Sequence, residues 1–118
     1  MRLSELEPEW LTTEGCAPGN HRQVDSIEEA QGVGHACPRC FVDKGNTLIG
    51  VHWCIEWSSS RGARPEQTPL PGRWRLLGTS FEDLTLDNEP PETKRSVLLP
   101  SEGCGAHFHI TNGEVTFC

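Results

Sequence analysis

The chain has 118 residues, 35% of them hydrophobic, with nine prolines and twelve glycines, which suits one domain of short strands and turns and argues against a helical bundle. Ten Lys and Arg residues against seventeen Asp and Glu residues leave a net charge of −7, which opposes nucleic-acid binding and favours a protein partner. The sequence has no apolar run long enough to span a membrane and no apolar signal segment at its start, so we expect a cytoplasmic protein without membrane contact.

The first part of the chain predicts little regular structure. Residues 1–20 are acidic and rich in turn formers, and we predict a loop segment that precedes a single β domain over residues 21–118. Ser26 and Glu29 have the spacing of a capping box, which predicts one short helix near residues 25–31. The following GVG ends this helix, and GHACPRCF predicts a strand end that turns through a knuckle.

The segment TLIGVHWCIEW is the strongest predicted strand, because it is rich in β-branched and aromatic residues and lies between turn formers. Its alternation separates an apolar face from a face of potential ligands. The apolar face contains Val51, Trp53, Ile55 and Trp57, and the other face contains His52, Cys54 and Glu56.

A long loop and three further short strands follow. Residues 58–73 are rich in Pro, Gly and Ser and predict a loop. GRWRLLGTS, DLTL and SVLLP each predict a strand, with a polar loop over residues 88–95. We interpret the arginines around the long loop as solvated charge, with an anionic ligand as the alternative; they are Arg61, Arg64, Arg73 and Arg75.

The chain closes with a predicted β-hairpin. Asn112-Gly113 is a strong signal for a two-residue type I′ turn, which pairs Thr111 with Glu114 and continues that register outwards. The core-facing side chains are then Phe108, Ile110, Val115 and Phe117, and the opposite face carries His107, His109 and Cys118. The predicted fold is therefore mainly β (small α+β), with short antiparallel strands and this hairpin arranged around a metal site.

Two short motifs predict that metal site. Cys37-Pro-Arg-Cys40 and Cys104-Gly-Ala-His107 are pairs in which each member can bind the same metal from one tight turn. The set Cys37, Cys40, Cys104 and His107 suits Zn²⁺ better than Mg²⁺ or Ca²⁺. Four protein ligands close a zinc site, so we expect a structural zinc.

Several alternatives remain open on the residues alone. An exported chain would favour three disulfides, a C-x2-C pair can be redox-active, and C-x2-H is half of a Rieske iron–sulfur pattern. No deaminase or H-E-x-x-H motif occurs. Other potential ligands have no assigned role from the sequence; they are Cys16, His21, His35, His52, Cys54, Glu56, His109 and Cys118.

The order CPRCF, a Trp-rich strand, GRWRLLGTSFEDLTL, SVLL and CGAHFHITNGEVTFC resembles an uncharacterised family of small Cys/His proteins encoded largely in bacteriophages and prophages. The resemblance covers roughly residues 28–118. It implies a mostly β fold and the same zinc ligands, and it implies no activity.

We therefore expect a small zinc-binding protein, of phage origin, with a protein-binding role as an adaptor or host-factor inhibitor rather than an enzyme. The alternative is a zinc-dependent hydrolase with an open site near His52, Glu56 and His109. In the first case Glu56 is a spectator, and Glu56→Ala is expected to leave stability nearly unchanged.

Overall fold

The structure, a computed structural model, describes residues 1–100 and 103–118. Its strands are β1 (Glu9–Thr12), β2 (Arg22–Val24), β3 (Gly32–Ala36), β4 (Trp53–Trp57), β5 (Trp74–Leu77), β6 (Thr85–Asn88), β7 (Val97–Leu98), β8 (His107–Thr111) and β9 (Glu114–Phe117). One short helix, α1, covers Pro38–Asp43, and 3₁₀ helices cover Leu3–Leu6 and Ile27–Glu29. Within these described ranges no helix has the length and apolar character needed to cross a membrane.

The strands form three antiparallel sheets. The first has the order β2-β1-β3-β4, the second pairs β5 with β6, and the third has the order β7-β8-β9. One cluster of buried side chains joins them, with contributions such as Val33 from the first sheet, Leu86 from the second, Phe108 from the third and Phe41 from α1. The prediction of a mainly β fold with a C-terminal hairpin is confirmed.

The N-terminal segment is more ordered than predicted. Instead of a loop, β1 lies inside the first sheet, where Trp10 pairs with Val24 on one side and with Val33 on the other. Leu3 and Leu6 are fully buried in the core. The acidic composition of the segment suggested a loop. Burial of a few apolar side chains is nevertheless enough to hold the segment against the core.

The predicted helix near residues 25–31 is present only as the short 3₁₀ helix Ile27–Glu29. Ser26 Oγ lies 3.3 Å from Glu29 Oε1, but the Ser26 side chain caps no backbone N–H group. Strand β2 ends at Val24 and strand β3 begins at Gly32, which limits the length of a helix between them. The α-helix forms instead at the predicted knuckle, where Pro38 occupies a first-turn position that needs no N–H donor.

Glycines in β3 make room for two tryptophans of β4. A Cβ atom at Gly32 would lie 2.5 Å from the ring of Trp57, and one at Gly34 would lie 2.5 Å from Nε1 of Trp53. The sequence GVG therefore does not end a helix here. It allows both indole rings to lie across the neighbouring strand.

The long loop is held by arginine side chains. Arg73 donates to the carbonyl oxygens of Arg64 and Gln67 at 3.0 and 2.8 Å, and Arg64 donates to those of Thr13 and Cys16 at 3.2 and 2.9 Å. These guanidinium groups are thus engaged with backbone carbonyls, which argues against the interpretation as freely solvated charge. They fix residues 58–73 against the N-terminal segment.

The C-terminal hairpin has the predicted register. Thr111 pairs with Glu114, and the pairing continues to Phe108 and Phe117. Ile110 and Val115 are buried as expected, but Phe117 is 45% exposed. Phe117 ends the edge strand β9, where the core no longer covers it.

Candidate metal centre

Four side chains converge where α1, the start of β4 and the segment before β8 meet. They belong to Cys37, Cys40, His52 and Cys104, and one potential ligand atom from each lies within 4.8 Å of all the others. The Sγ atoms of Cys37 and Cys104 are 3.6 Å apart, and His52 Nε2 lies 3.3 Å from Cys104 Sγ. This Cys3His cluster could hold a metal ion.

Local backbone structure positions three of these residues. The N–H of Cys37 donates to the carbonyl of His52 at 2.9 Å, so the pairing of β3 with β4 extends to both residues. The chain then enters α1, in which Phe41 N–H donates to the Cys37 carbonyl at 3.0 Å. This helical turn places Cys40 beside Cys37. Cys104 lies in the segment that leads into β8 of the third sheet.

The dimensions of the cluster suit a tetrahedral metal. Zinc–sulfur bonds of about 2.3 Å give sulfur–sulfur edges of about 3.8 Å in a tetrahedron. The 3.6 Å between Cys37 and Cys104 is close to that value. Three thiols and one imidazole are also the donor types that zinc prefers.

The structure brings together three of the four ligands predicted from sequence and puts His52 in the fourth place. His107 begins β8, and its Nε2 lies 3.1 Å from Ser96 Oγ. Its neighbours Ala106 and Phe108 are fully buried, so strand alternation turns His107 away from them. From the sequence, His52 was only one of three potential ligands on the same face of a predicted strand, together with Cys54 and Glu56.

The thiols of the cluster differ in acidity. Hydrogen bonding from Cys54 lowers the pKa of Cys37 to about 4, even though burial opposes this. Burial, together with hydrogen bonding to Cys37, raises the pKa of Cys40 to about 11. The hydrogen bond to Cys37 and burial also raise the pKa of Cys54. The contact with Cys54 therefore favours the thiolate form of Cys37.

A buried ion pair lies next to the cluster. His35 Nε2 is 2.8 Å from Glu56 Oε1, and His35 Nδ1 is 2.7 Å from the carbonyl oxygen of Ala36. Both nitrogens face oxygen atoms, an arrangement that favours the protonated ring. Burial lowers the pKa of His35, but the Glu56 carboxylate outweighs it and the net shift is upward.

Most of the remaining potential ligands lie outside the cluster. Cys118 Sγ is 3.5 Å from His109 Nδ1, and Cys16 Sγ donates to the carbonyl of Glu14 at 3.7 Å. All six cysteines are free thiols. Because Glu56 is buried against His35 and His109 lies beside Cys118, these two residues do not form one open site with His52.

Comparison with known proteins finds no matching protein family, curated protein or solved structure. Functional inference for this chain therefore starts from the chemistry of the Cys3His cluster.

Proposed function

We propose that this chain is a small zinc-binding protein in which Cys37, Cys40, His52 and Cys104 hold one structural Zn²⁺. The observation that carries the proposal is the convergence of these four ligand atoms within 4.8 Å. Soft thiolates favour zinc over Mg²⁺ or Ca²⁺. Four protein ligands complete the tetrahedron and leave no position for a substrate.

The proposed role of the metal is to hold two parts of the fold together. Cys37 and Cys104 are 67 positions apart in the chain, and His52 and Cys104 are 52 positions apart. A zinc ion bound to all of them cross-links the β3–α1–β4 region to the third sheet. Zinc binding then contributes directly to the free energy of folding.

Native mass spectrometry with elemental analysis of the same sample tests this proposal. We expect one zinc per chain that remains bound through dialysis and is released on denaturation. Detection of iron together with visible absorption would contradict the proposal and indicate an iron–sulfur protein. A chain that retains no metal would also contradict it.

We further propose that the protein acts by binding another protein with a basic surface, as an adaptor or inhibitor. The net charge of −7 supports an electrostatic contribution to that contact. Origin in a bacteriophage, with a host factor as partner, stays a prediction from the sequence resemblance. The test is capture on immobilised, zinc-loaded protein with elution by rising salt: a basic partner released by salt is expected, and an acidic partner insensitive to salt would contradict it.

A further inference from the structure

A second pair of metal-binding side chains lies on the outer face of the C-terminal hairpin. Ile110 is buried in the core, so strand alternation places its neighbour His109 on the opposite face. The pairing of β8 with β9 continues beyond β9, because Cys118 N–H donates to the His107 carbonyl at 2.9 Å. Cys118 thus lies opposite His107 on the face that also carries His109, and its Sγ is 3.5 Å from His109 Nδ1.

The separation of these two atoms fits a shared metal ion. Zinc–sulfur bonds of about 2.3 Å and zinc–nitrogen bonds of about 2.0–2.1 Å give a sulfur–nitrogen edge of about 3.5 Å in a tetrahedron. The 3.5 Å between Cys118 Sγ and His109 Nδ1 matches that edge. A zinc ion would replace the thiol proton, which is released to solvent. Neither residue belongs to the Cys3His cluster, so the pair is available to a second ion.

Within one chain this pair provides only half of a tetrahedral site. His107 lies on the same face, but its Nε2 is 3.1 Å from Ser96 Oγ. Among the described residues, the Cys3His cluster is the only group of three or more potential ligands within reach of one ion. The remaining ligands at His109 and Cys118 must therefore come from outside the chain.

A second copy of the chain carries the same two side chains. Two copies related by a two-fold axis present identical surfaces to each other, so they can supply two sulfurs and two nitrogens to one ion. Cys2His2 is a typical ligand set of structural zinc. We propose that His109 and Cys118 bind Zn²⁺ together with the same two residues of a second copy, so that the ion joins two chains.

The surface around Cys118 suits contact with a second copy. Cys118 is exposed, and it lines a cavity of about 480 Å³ together with Phe117 and Val42, which are 45% and 44% exposed. Covering these apolar side chains would remove them from water. Among the described residues of the same lining, the charged pair Arg39 and Asp43 lies 3.4 Å apart and adds no net charge. The net charge of −7 on each chain opposes self-association, so we expect the dimer to depend on the metal.

The ion at this site is held less firmly than the proposed structural zinc. Its four ligands come from two chains, so metal binding and dimerisation are linked and both are lost on dilution. We expect dialysis against metal-free buffer to remove this ion and to leave the one zinc per chain of the Cys3His cluster. The inference goes beyond the proposed function, because it uses different residues and a different ion.

Sedimentation velocity of the dialysed, zinc-loaded protein tests the proposal. Zn²⁺ is added in steps at high micromolar protein concentration, with a phosphine reductant present to prevent a disulfide between two Cys118 side chains. We expect the monomer to convert to a dimer that binds about one added ion per two chains, and a second dialysis to return the monomer. A protein that stays monomeric in excess Zn²⁺, or that binds a second ion per chain without dimerising, would overturn the inference.

Two variants assign the effect to the named side chains. Cys118→Ser and His109→Ala each remove one ligand from both copies, and we expect each variant to stay monomeric at the Zn²⁺ concentration that dimerises the parent. Thr116→Ala is the matched control, because Thr116 pairs with His109 and is exposed but supplies no metal ligand of this kind. We expect it to dimerise like the parent. A folded Cys118→Ser that still forms the zinc-dependent dimer would overturn the assignment. Should His109→Ala not fold, the exposed Cys118→Ser decides.

Zinc content measured on the dialysed samples separates this inference from the proposed function. Protein that retains one zinc per chain and shows no dimer with added Zn²⁺ contradicts the shared site alone. Protein that dimerises with added Zn²⁺ but retains no zinc after dialysis contradicts the structural-zinc proposal alone.

Discussion

His52 and Cys37 are the two extremes of exposure within the Cys3His cluster. Cys37 is fully buried, and His52 is exposed. A metal bound by these residues would therefore have the Cys37 sulfur on its buried side and the His52 imidazole on its solvent side. The contribution of His52 to affinity can be measured without disturbing the core.

His52→Ala is expected to lower zinc affinity by about 100-fold or more, because it removes a direct ligand and replaces it with water. Competition with a chromophoric chelator measures the change. The matched control is His107→Ala, which removes the imidazole favoured by the sequence motif and is expected to leave zinc affinity unchanged. The reverse result would restore His107 as the fourth ligand.

Glu56 has a larger predicted effect on stability than the sequence indicated. Glu56→Ala leaves the buried His35 without its carboxylate partner, and breaking a buried pair in this way costs about 3–5 kcal/mol. Urea denaturation measures the loss in the free energy of unfolding. The exposed Glu66→Ala serves as control and is expected to change it by less than about 0.5 kcal/mol. A near-neutral Glu56→Ala would return Glu56 to the role of a spectator.

Residue types and short spacings were predictable, but contacts between distant residues were not. Cys37 and Cys40 share one turn, so their joint orientation follows from local spacing. The choice between His52 and His107 depends on which strand face meets Cys104. The contact of His35 with Glu56 depends on the register of β3 against β4, which pairs His35 with Cys54. No local pattern encodes these two outcomes.

At the level of elements, the β8–β9 turn is fixed by a glycine for two separate reasons. Gly113 has a φ of +76°, and a Cβ atom there would lie 2.2 Å from the carbonyl oxygen of Glu82. The turn is also tied to the residue that precedes β6, since Gly113 N–H donates to the Leu84 carbonyl at 2.9 Å. The hairpin therefore has little room to move away from that contact.

Gly113→Ala is expected to destabilise the protein by about 3 kcal/mol or more, from left-handed backbone strain plus the steric clash. Gly45→Ala isolates the first contribution, because Gly45 has a φ of +81° and open space around its Cα. We expect that control to cost about 1–2 kcal/mol. Chemical denaturation compares the two, and equal losses would show that the close approach to Glu82 contributes nothing.

The turn between β5 and β6 predicts a pH-dependent contribution to stability. Hydrogen bonds from the backbone N–H groups of Thr79 and Ser80 and from the Thr79 hydroxyl lower the pKa of Asp83. Its stabilisation is complete above the ordinary aspartate pKa and is lost as the pH falls through the lowered value. Asp83→Asn is therefore expected to melt at a lower temperature than the parent at neutral pH, with the difference shrinking in acid. A difference independent of pH would contradict this role of the carboxylate.

Two elements with local signals were predicted well, but the capping-box spacing of Ser26 and Glu29 predicted a longer helix than the one that forms. The Asn112-Gly113 turn determined the register of β8 and β9, and the Trp-rich segment formed β4. In contrast, β1 is stabilised by partners on both sides, and its acidic surroundings resemble a loop. The glycines of β3 lie beside tryptophans from another strand, which sequence reading alone could not reveal.

For the whole molecule, the Cys3His cluster is the point at which the first and third sheets can be cross-linked. Cys104→Ser is expected to lower the melting temperature of the zinc-loaded protein by roughly 10 °C or more, since it removes a ligand from the cross-link. Differential scanning calorimetry measures this shift. Cys16→Ser, in an N-terminal turn and not a member of the cluster, is expected to have little effect.

A chelator provides the second half of this comparison. After zinc removal the parent protein is expected to melt at the same lowered temperature as Cys104→Ser, because both then lack the cross-link. A parent protein that keeps its melting temperature without zinc would contradict the structural role of the metal.

The order of the ligands along the chain has a consequence for biosynthesis. Cys37, Cys40 and His52 leave the ribosome well before Cys104, so a growing chain first presents a three-ligand, incomplete site. Metal captured at that stage would keep an open position and exchange readily with chelators in the cell. Only when the segment before β8 emerges and docks does the fourth ligand lock the ion in place, so stable zinc acquisition and completion of the fold are expected to be the same late event.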